Sequence, residues 1–226
     1  MSASAAERRE QLVALYKEVQ VCTKCPLHET RTKAVFGAGN ADADLMFVGE
    51  APGADEDRQG LPFVGRAGQL LNQLLEEIGL SREEVFIANV LKSRPPGNRD
   101  PLPLEIQACE PYLFEQVRLI EPKVVCTLGN FATKLLTGSP VGITRVRGTP
   151  QLHELGGRPV FLLPLLHPAA ALRTPSMKET LRGDFATIPG LLAGPDPELA
   201  PSVEEELAAA EEPPEPPPAD QLGFFG

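Results

Sequence analysis

The stretch from Leu45 to Gly65, LMFVGEAPGADEDRQGLPFVG, decides the fold of this chain. It begins with four apolar residues, Leu45 to Val48, which have the length and bulk of a buried parallel strand. Two glycines and a proline within Gly49–Gly53 then force a sharp turn that is not helical. A helical pattern begins at Arg66. Strand, glycine-rich turn and helix in this order predict an α/β protein with a site at the carboxyl end of its first strand.

The residues of this turn argue against a phosphate-binding site. The stretch has no GxxxxGK[ST] motif, and no GxGxxG motif directly opens a helix. Carboxylates occupy it instead, since Glu50 lies in the turn and Asp55, Glu56 and Asp57 follow it. Such a cluster is a poor cradle for a phosphate group and is suited to polarising a water molecule.

The rest of the chain up to residue 193 alternates between strand and helix patterns. Apolar spacing predicts helices over 6–19, 67–78, 104–120, 131–136 and 177–192, and strands over 85–91, 123–128, 152–155 and 159–163, with a last strand end at Leu166. This order predicts a three-layer α/β/α fold with a central, mostly parallel, four-stranded sheet. Glu50, Asn89 and His167 all lie near carboxyl ends of strands, so we expect them to meet at one edge of the sheet.

Two of these residues also have an ordinary structural explanation. Asn89 is the one polar residue of its apolar strand, and its amide is costly to bury unless the backbone or a ligand satisfies it. A lone histidine such as His167 is usually a satisfied surface residue. Their common position near strand ends favours a ligand pocket for both.

The net charge of -10 comes mainly from the C-terminal end of the chain. Residues 194–226 hold nine acidic and no basic residues, which leaves 22 acidic and 21 basic residues before them. The charge of the folded part therefore does not argue against a nucleic-acid partner. Basic residues cluster near predicted loops and indicate a basic rim around the site: Lys92, Arg94, Arg99, Arg145, Arg147, Arg173, Lys178 and Arg182.

No targeting or membrane-spanning segment is visible. The first ten residues, MSASAAERRE, are polar and charged. The longest apolar run, 160–166, is too short to span a bilayer and contains Pro164. We therefore expect a soluble, cytoplasmic protein without membrane contact, in which cysteines are metal ligands, catalytic groups or core residues rather than disulfides.

Cys22 and Cys25 form a CxxC motif directly after a predicted helix. A thioredoxin-like motif would follow a strand and open a helix, so Pro26 and the later cysteines favour half of a metal or iron–sulfur site. The other two cysteines are Cys109, in a predicted helix, and Cys126, in a predicted core strand.

The composition changes after residue 193. Residues 194–220 are rich in Pro, Glu and Ala and have no apolar periodicity, which predicts a disordered linker. Residues 221–226, QLGFFG, place two phenylalanines where no core is available to them, which indicates a docking peptide. We therefore divide the chain into a folded domain (1–193) with an N-terminal cluster-binding segment, a linker (194–220) and a terminal peptide (221–226).

These motifs together resemble the family-four uracil-DNA glycosylases, the iron–sulfur members of the uracil-DNA glycosylase superfamily. The resemblance covers roughly residues 10–192. It rests on GEAPGADED followed by PFVG, the strand ending in Asn89, the KSRPPGNRDP loop, and Leu166-His167-Pro168-Ala169 with Arg173. It implies hydrolysis of the N-glycosidic bond of deoxyuridine in DNA, which releases uracil and leaves an abasic site, as in base excision repair.

The resemblance also implies how uracil is recognised. The flipped base would stack on Phe63. The Asn89 amide would match the O4 and N3–H edge of uracil and mismatch cytosine. His167 would donate a hydrogen bond towards O2 and stabilise the uracil anion as the bond breaks.

Gly49 and Ala51 would line the same pocket. Ala51 stands where other branches of the superfamily carry a water-activating aspartate. The water would then be positioned by Glu50, by Glu56 or by the backbone of the turn. Arg173 and the basic loops would hold phosphates.

The resemblance further implies a [4Fe–4S] cluster, but this chain departs from the family pattern. Cys22, Cys25 and Cys109 match the family's ligands, whereas Ser93 stands in the place of another cysteine. The fourth ligand would be either Cys126 or the Ser93 oxygen, although iron–sulfur clusters prefer thiolates. Loss of the cluster, or zinc in its place, is the alternative. Such a cluster would be structural, because hydrolysis requires no electron transfer.

Three other functions fit parts of the sequence. A related branch binds uracil covalently through a histidine after the second strand, but residues 93–103 contain none. A glycosylase that also releases hypoxanthine or xanthine is a second alternative. A DNA-binding cluster module without catalysis is the third, and the presence of Phe63, Asn89 and His167 argues against it.

The segment Gln221–Phe225 resembles the peptide with which bacterial repair proteins bind the replication sliding clamp. The linker before it would give this peptide a typical reach of roughly 30 Å. We expect a monomeric, nucleoid-associated protein that binds uracil-containing DNA and the clamp.

Overall fold

The computed structural model describes residues 3–199 of the chain. The peptide predicted at 221–226 and most of the predicted linker lie outside the described residues. Within 3–199, no helix is both long and apolar enough to cross a membrane.

Helices and strands alternate along the described chain. The helices are α1 (Ala5–Gln20), α2 (Ala54–Gln59), α3 (Arg66–Glu77), α4 (Pro103–Ile120), α5 (Asn130–Thr137), α6 (Ile143–Val146), α7 (Pro168–Ala171), α8 (Pro175–Phe185) and α9 (Ile188–Ala193). The strands are β1 (Ala38–Gly39), β2 (Leu45–Gly49), β3 (Phe86–Asn89), β4 (Val124–Leu128), β5 (Gln151–Leu155) and β6 (Arg158–Leu165). Short 3₁₀ turns cover Pro26–Glu29 and Pro96–Asn98.

The strands form one sheet in the order β1-β3-β2-β4-β6-β5. The four central strands are parallel, whereas β1 and β5 pair antiparallel at the two edges. The predicted α/β class is confirmed, but the prediction of four strands is wrong, since the sheet has six. The strand β1 has only two residues, and Gly39 approaches Val85 so closely that a β-carbon would lie 1.9 Å from the Val85 carbonyl oxygen. β1 could not be predicted, because a strand of two residues that includes a glycine has no alternating pattern of apolar and polar residues.

Alternating side chains of the sheet enter two separate hydrophobic cores, one on each face. In β2, Met46 and Val48 face the first core, which is shared with α1 and α4. Leu45 and Phe47 face the second core, which is shared with α3 and α8. Helices therefore cover both faces, as a three-layer fold requires.

Several helices differ from the sequence pattern. The helix predicted over 177–192 is divided into α8 and α9, and Pro189, which has no backbone N–H to donate, lies in the first turn of α9. The segment 143–148, which contains Arg145 and Arg147 and was predicted to be a loop, begins with the one-turn helix α6. The acidic residues after the first turn form the short helix α2. After α9, residues 194–199 have no helix or strand.

Candidate active site

A cavity of about 610 Å³ lies at the carboxyl ends of β2 and β3, beside the start of α7. This volume lies in the range of small-molecule sites. The walls include seven of the residues that the sequence indicated for the site: Glu50, Ala51, Glu56, Phe63, Asn89, His167 and Arg173. The parallel register explains the convergence, because it brings the ends of neighbouring strands to one edge.

Gly49 leaves space for the side chains at the floor of this cavity. It pairs with Asn89 in the parallel register of β2 and β3. A β-carbon on Gly49 would lie 2.4 Å from Asn89 Oδ1 and 2.8 Å from two atoms of the Phe63 ring. The structure therefore brings the amide of Asn89 and the ring of Phe63 together over the glycine.

Glu56 anchors the loop that carries Phe63. Its Oε1 accepts hydrogen bonds from the backbone amides of Val64 at 3.0 Å and Gly65 at 3.1 Å. These amides lie just before α3, where the helix dipole also favours a negative charge. The carboxylate that follows the first turn thus stabilises the cavity wall.

His167 lies directly before α7, and its ring stacks on Phe63. The two ring centroids are 5.7 Å apart and the planes are inclined by 27°. Nδ1 accepts a hydrogen bond from the Ala169 amide at 3.1 Å, which places the proton of a neutral ring on Nε2. Burial lowers the pKa of His167 to about 4, although the charge of Glu56 opposes this. At neutral pH the ring is therefore uncharged and has one N–H to donate.

Glu50 and Asp100 are two carboxylates of the wall. Both also line a neighbouring cavity of about 650 Å³, which reaches His167 as well. Burial raises the pKa of Glu50, and the negative charge of Asp100 raises it further. Glu50 is therefore a stronger base than a glutamate in water.

Only part of the predicted basic rim is present. Arg173 is exposed at the cavity wall, but Lys92 is buried, with 2% of its surface accessible. Its ammonium group donates to the Asn89 carbonyl oxygen at 2.8 Å and to Gln116 Oε1 at 2.6 Å. The prediction that Lys92 belongs to the rim is therefore wrong. Other predicted rim residues form ion pairs: Arg99 with Glu105, Arg147 with Asp184, and Arg182 with Glu77 and Glu179.

Three of the four cysteines lie on one face of the sheet. Cys25 and Cys109 belong to the first core, and Cys22 packs against it. Burial raises the pKa of the Cys109 thiol, and the thiols of Cys25 and Cys22 raise it further, against the opposing effect of Lys92. Cys126 is fully buried in the second core, on the other face. The structure therefore does not bring Cys126 to the other three.

Ser93 lies beside this group of three cysteines. The amide of its neighbour Lys92 donates to Cys109 Sγ at 3.4 Å. Arg31 donates to Ser93 Oγ and to the carbonyl oxygen of Gln20, both at 3.2 Å, and so joins Ser93 to the end of α1. Across residues 3–199, no three His, Cys, Asp or Glu side chains are placed to bind a single metal ion.

Sequence reasoning missed two charged residues of the cavity walls. Asp100 is part of the loop that was noted for its basic residues, and its effect on Glu50 depends on the path of that loop. Lys134 of α5 lines the neighbouring cavity. The one feature of the sequence that could have indicated Lys134 is its position in the first turns after Gly129, which follows the carboxyl end of β4.

Comparison with known proteins agrees with this fold. Residues 36–186 match the family model of the uracil DNA glycosylase superfamily. The chain is 49% identical over 170 residues to a type-4 uracil-DNA glycosylase of Thermotoga maritima, across 74% of this chain and 87% of the relative. It is 44% identical over 194 residues to the type-4 uracil-DNA glycosylase of Archaeoglobus fulgidus, across 84% of this chain and 98% of the relative.

A third type-4 uracil-DNA glycosylase, from Sulfurisphaera tokodaii, is 46% identical over 192 residues, across 82% of this chain and 87% of the relative. The chain belongs to the uracil DNA glycosylase superfamily, and within it to the type-4 uracil-DNA glycosylases. It is accordingly a glycosylase, an enzyme of the hydrolase class.

Proposed function

We propose that this protein hydrolyses the N-glycosidic bond of deoxyuridine in DNA, releasing uracil and leaving an abasic site. The observation that carries the proposal is the convergence of Phe63, Asn89 and His167 on one cavity. A base within a duplex cannot enter such a cavity, so the nucleotide must first rotate out of the stack, at a cost of a few kcal/mol.

Asn89 and Phe63 would select and hold the base. An amide offers a donor and an acceptor side by side, and this pair matches the O4 and N3–H edge of uracil, whereas cytosine presents the opposite pattern. The Phe63 ring offers a flat apolar face for stacking. Gly49 supports both side chains, because a larger residue would displace them. Ala51 contributes the adjoining wall.

His167 would stabilise the leaving group. Cleavage of the C1′–N1 bond leaves negative charge on the uracil ring, and a donor at O2 lowers the energy of that charge. The Nε2–H of a neutral His167 is such a donor, since Nδ1 is already occupied by the Ala169 amide. A neutral donor that is already in place requires no proton uptake before the reaction.

Glu50 is our candidate for positioning the water. Its carboxylate lines the cavity beside His167, and its raised pKa favours acceptance of a proton. Glu56 is less suited to this role, because its Oε1 accepts two backbone amides. The water would attack C1′ as the bond to the base breaks, and Glu50 would accept the proton.

Arg173 would contact the DNA backbone at the mouth of the cavity. It is exposed there, and a phosphate contact would fix the strand without reading its sequence. Lys134 at the neighbouring cavity would add a second cation. Binding would therefore weaken as the salt concentration rises.

We further propose that Cys22, Cys25 and Cys109 hold an iron–sulfur cluster. The thiols fit the group in chemistry, because such clusters are held by thiolates. The three lie on one face of the sheet, in or against the first core, although across residues 3–199 no three such side chains surround a single metal ion. We propose Ser93 as the neighbouring oxygen ligand, rather than Cys126, which lies in the other core. When bound, the cluster would join α1 to α4 and serve a structural purpose.

The sequence also supports a proposal on partners. Gln221–Phe225, which lies outside the described residues, would bind the replication sliding clamp and bring a monomeric enzyme to newly made DNA in the nucleoid. Deletion of residues 221–226 is expected to abolish clamp binding in a pull-down with purified clamp and to leave base release unchanged. Clamp binding by the truncated chain would remove this proposal.

The test of the main proposal is release of the free base from oligonucleotides. Single strands that carry one dU are incubated with the iron-loaded protein, with dT and dC strands as controls. Uracil and an alkali-labile abasic site are expected from the dU strand only, and His167→Ala is expected to lower the rate by about 100-fold or more. Absence of uracil release by the wild-type protein would overturn the proposal.

A further inference from the structure

The backbone of Phe63 is held in an unfavourable conformation. Its φ angle is 49°, in the left-handed region that bulky residues seldom adopt. Such a conformation is strained and persists only where the surroundings enforce it. Because the direction of the ring follows from the backbone, the contacts that enforce this angle also place the ring in the cavity.

Arg82 makes the contacts on the carbonyl side of this loop. Its guanidinium donates to the Phe63 carbonyl oxygen at 3.1 Å and to the Pro62 carbonyl oxygen. A third hydrogen bond, of 3.3 Å, joins it to Asn72 Oδ1 of α3. Burial lowers the pKa of Arg82, so this cation is partly removed from water. A planar group with several donors suits two consecutive carbonyl oxygens, whereas a lysine offers one point charge.

Glu56 completes the arrangement from the other side. It accepts the amides of Val64 and Gly65, directly after the carbonyl groups that Arg82 binds. Gly68 of α3 leaves room for this geometry, since a β-carbon there would lie 1.7 Å from the Phe63 carbonyl oxygen. The carboxylate of Glu56 and the guanidinium of Arg82 thus hold the loop, and Gly68 leaves the space that the loop needs. Glu56 and Gly68 lie in the helices on either side of the loop, whereas Arg82 lies further along the chain.

We infer that Arg82 is a positioning residue for uracil binding, which fixes the Phe63 ring at the height at which the base stacks. Arg82 itself does not line the cavity wall and acts through Phe63. The inference rests on the proposed function, since it names a residue that prepares the same pocket.

The test compares Arg82→Gln with Arg118→Gln in the full-length, iron-loaded protein. Arg118 is a matched control, because its guanidinium donates to Glu115 and Gln11 at the surface and lines neither cavity. Inhibition of the reaction by free uracil reports on the pocket, and affinity for DNA with an abasic site reports on the rest of the interface. Exchange of the Val64 and Gly65 amide hydrogens reports on the loop without any substrate.

We expect Arg82→Gln to bind free uracil about 10- to 100-fold more weakly, the effect of losing hydrogen bonds to a charged group. Its affinity for abasic-site DNA should stay within about twofold of wild type, and the two amides should exchange faster. The Arg118→Gln protein should match wild type in all three measurements. Arg82→Lys should restore less than half of the lost uracil affinity, and it serves as the test if Arg82→Gln does not fold.

Unchanged uracil affinity in Arg82→Gln, or an equal loss in Arg118→Gln, would overturn the inference. Failure of the proposed function gives a different result, because the wild-type protein would then release no uracil. In that case the exchange rates decide: unchanged exchange in Arg82→Gln rejects the positioning role, and faster exchange supports it.

Discussion

Gly49 lies opposite Asn89 in the parallel pairing of β2 and β3, and the side-chain oxygen of Asn89 occupies the space next to the glycine. A β-carbon on Gly49 would come within 2.4 Å of that oxygen. The glycine that ends β2 therefore lets the amide of the neighbouring strand enter the cavity.

Substitution of Gly49 tests this relationship. We expect Gly49→Ala to displace Asn89 or Phe63 and to lower kcat/KM for uracil release by roughly 10- to 100-fold, as is usual for a misplaced binding group. Gly183→Ala is the matched control, since apart from its chain neighbours and the backbone of its own helix α8 no atom lies within 4 Å of the added carbon. Wild-type kcat/KM in Gly49→Ala would show that the amide does not need this space.

The low pKa of His167 predicts an effect of pH on stability. The folded value of about 4 lies below the ordinary value of 6.5, so the unfolded chain binds more protons between these limits. The free energy of unfolding should therefore fall as the pH decreases from 6.5 to 4, by roughly 2 kcal/mol at pH 5 from this residue. In urea unfolding experiments, the free energy of unfolding of His167→Gln should fall less between pH 6.5 and 5 than that of the wild type, by the same amount. An identical dependence in both proteins would show that the ring is protonated as easily as a histidine in water.

The position of Asp100 near Glu50 leads to a prediction for how the rate of uracil release falls at low pH. If Glu50 acts as the base, the rate falls when its carboxylate is protonated, at a higher pH than for an ordinary glutamate, because burial and Asp100 raise its pKa. Asp100→Asn removes one of these causes and should move the acid limb to lower pH. Single-turnover rates from pH 4 to 8 measure this shift. An unmoved limb, or a Glu50→Gln variant with full activity, would assign the base elsewhere.

The cluster proposal predicts iron content. Cys109→Ala should lose most of its iron and sulfide, whereas Cys126→Ala should retain the wild-type content, because Cys126 lies in the other core. Ser93→Cys should retain iron longer in air, since a thiolate is the better ligand. Fewer than about three irons per chain in anaerobically purified wild-type protein would exclude a four-iron cluster. Iron loss in Cys126→Ala would restore that residue as a candidate ligand.

The sequence predicts the central part of the fold and the residues near strand ends, because both follow from simple periodic patterns. Buried strands read as apolar runs, and parallel strands bring their carboxyl ends together, which explains why Asn89 and His167 could be named in advance. The two-residue strand β1 has no such pattern. Lys92 shows a second limit, since its charge indicated a surface position whereas two oxygen acceptors hold it inside.

Contacts between distant segments are also invisible in the sequence. Arg82 belongs to a charged segment, SREE, that reads as an exposed turn. Its role depends on the path of the Phe63 loop, 19 residues earlier. Likewise, no pattern shows that Cys126 faces away from the other cysteines, because β4 is buried on both faces and one residue of register decides the face.

The rate of uracil release under single-turnover conditions tests the central claim most directly. The iron-loaded protein, in excess over a strand with one dU, is compared with Asn89→Ala and with Gly183→Ala. We predict uracil release by the wild type and by Gly183→Ala at similar rates. For Asn89→Ala we predict a rate lower by at least about 100-fold, because in our proposal the amide binds the base. Absence of uracil release by the wild type, or an unchanged rate in Asn89→Ala, would contradict the account.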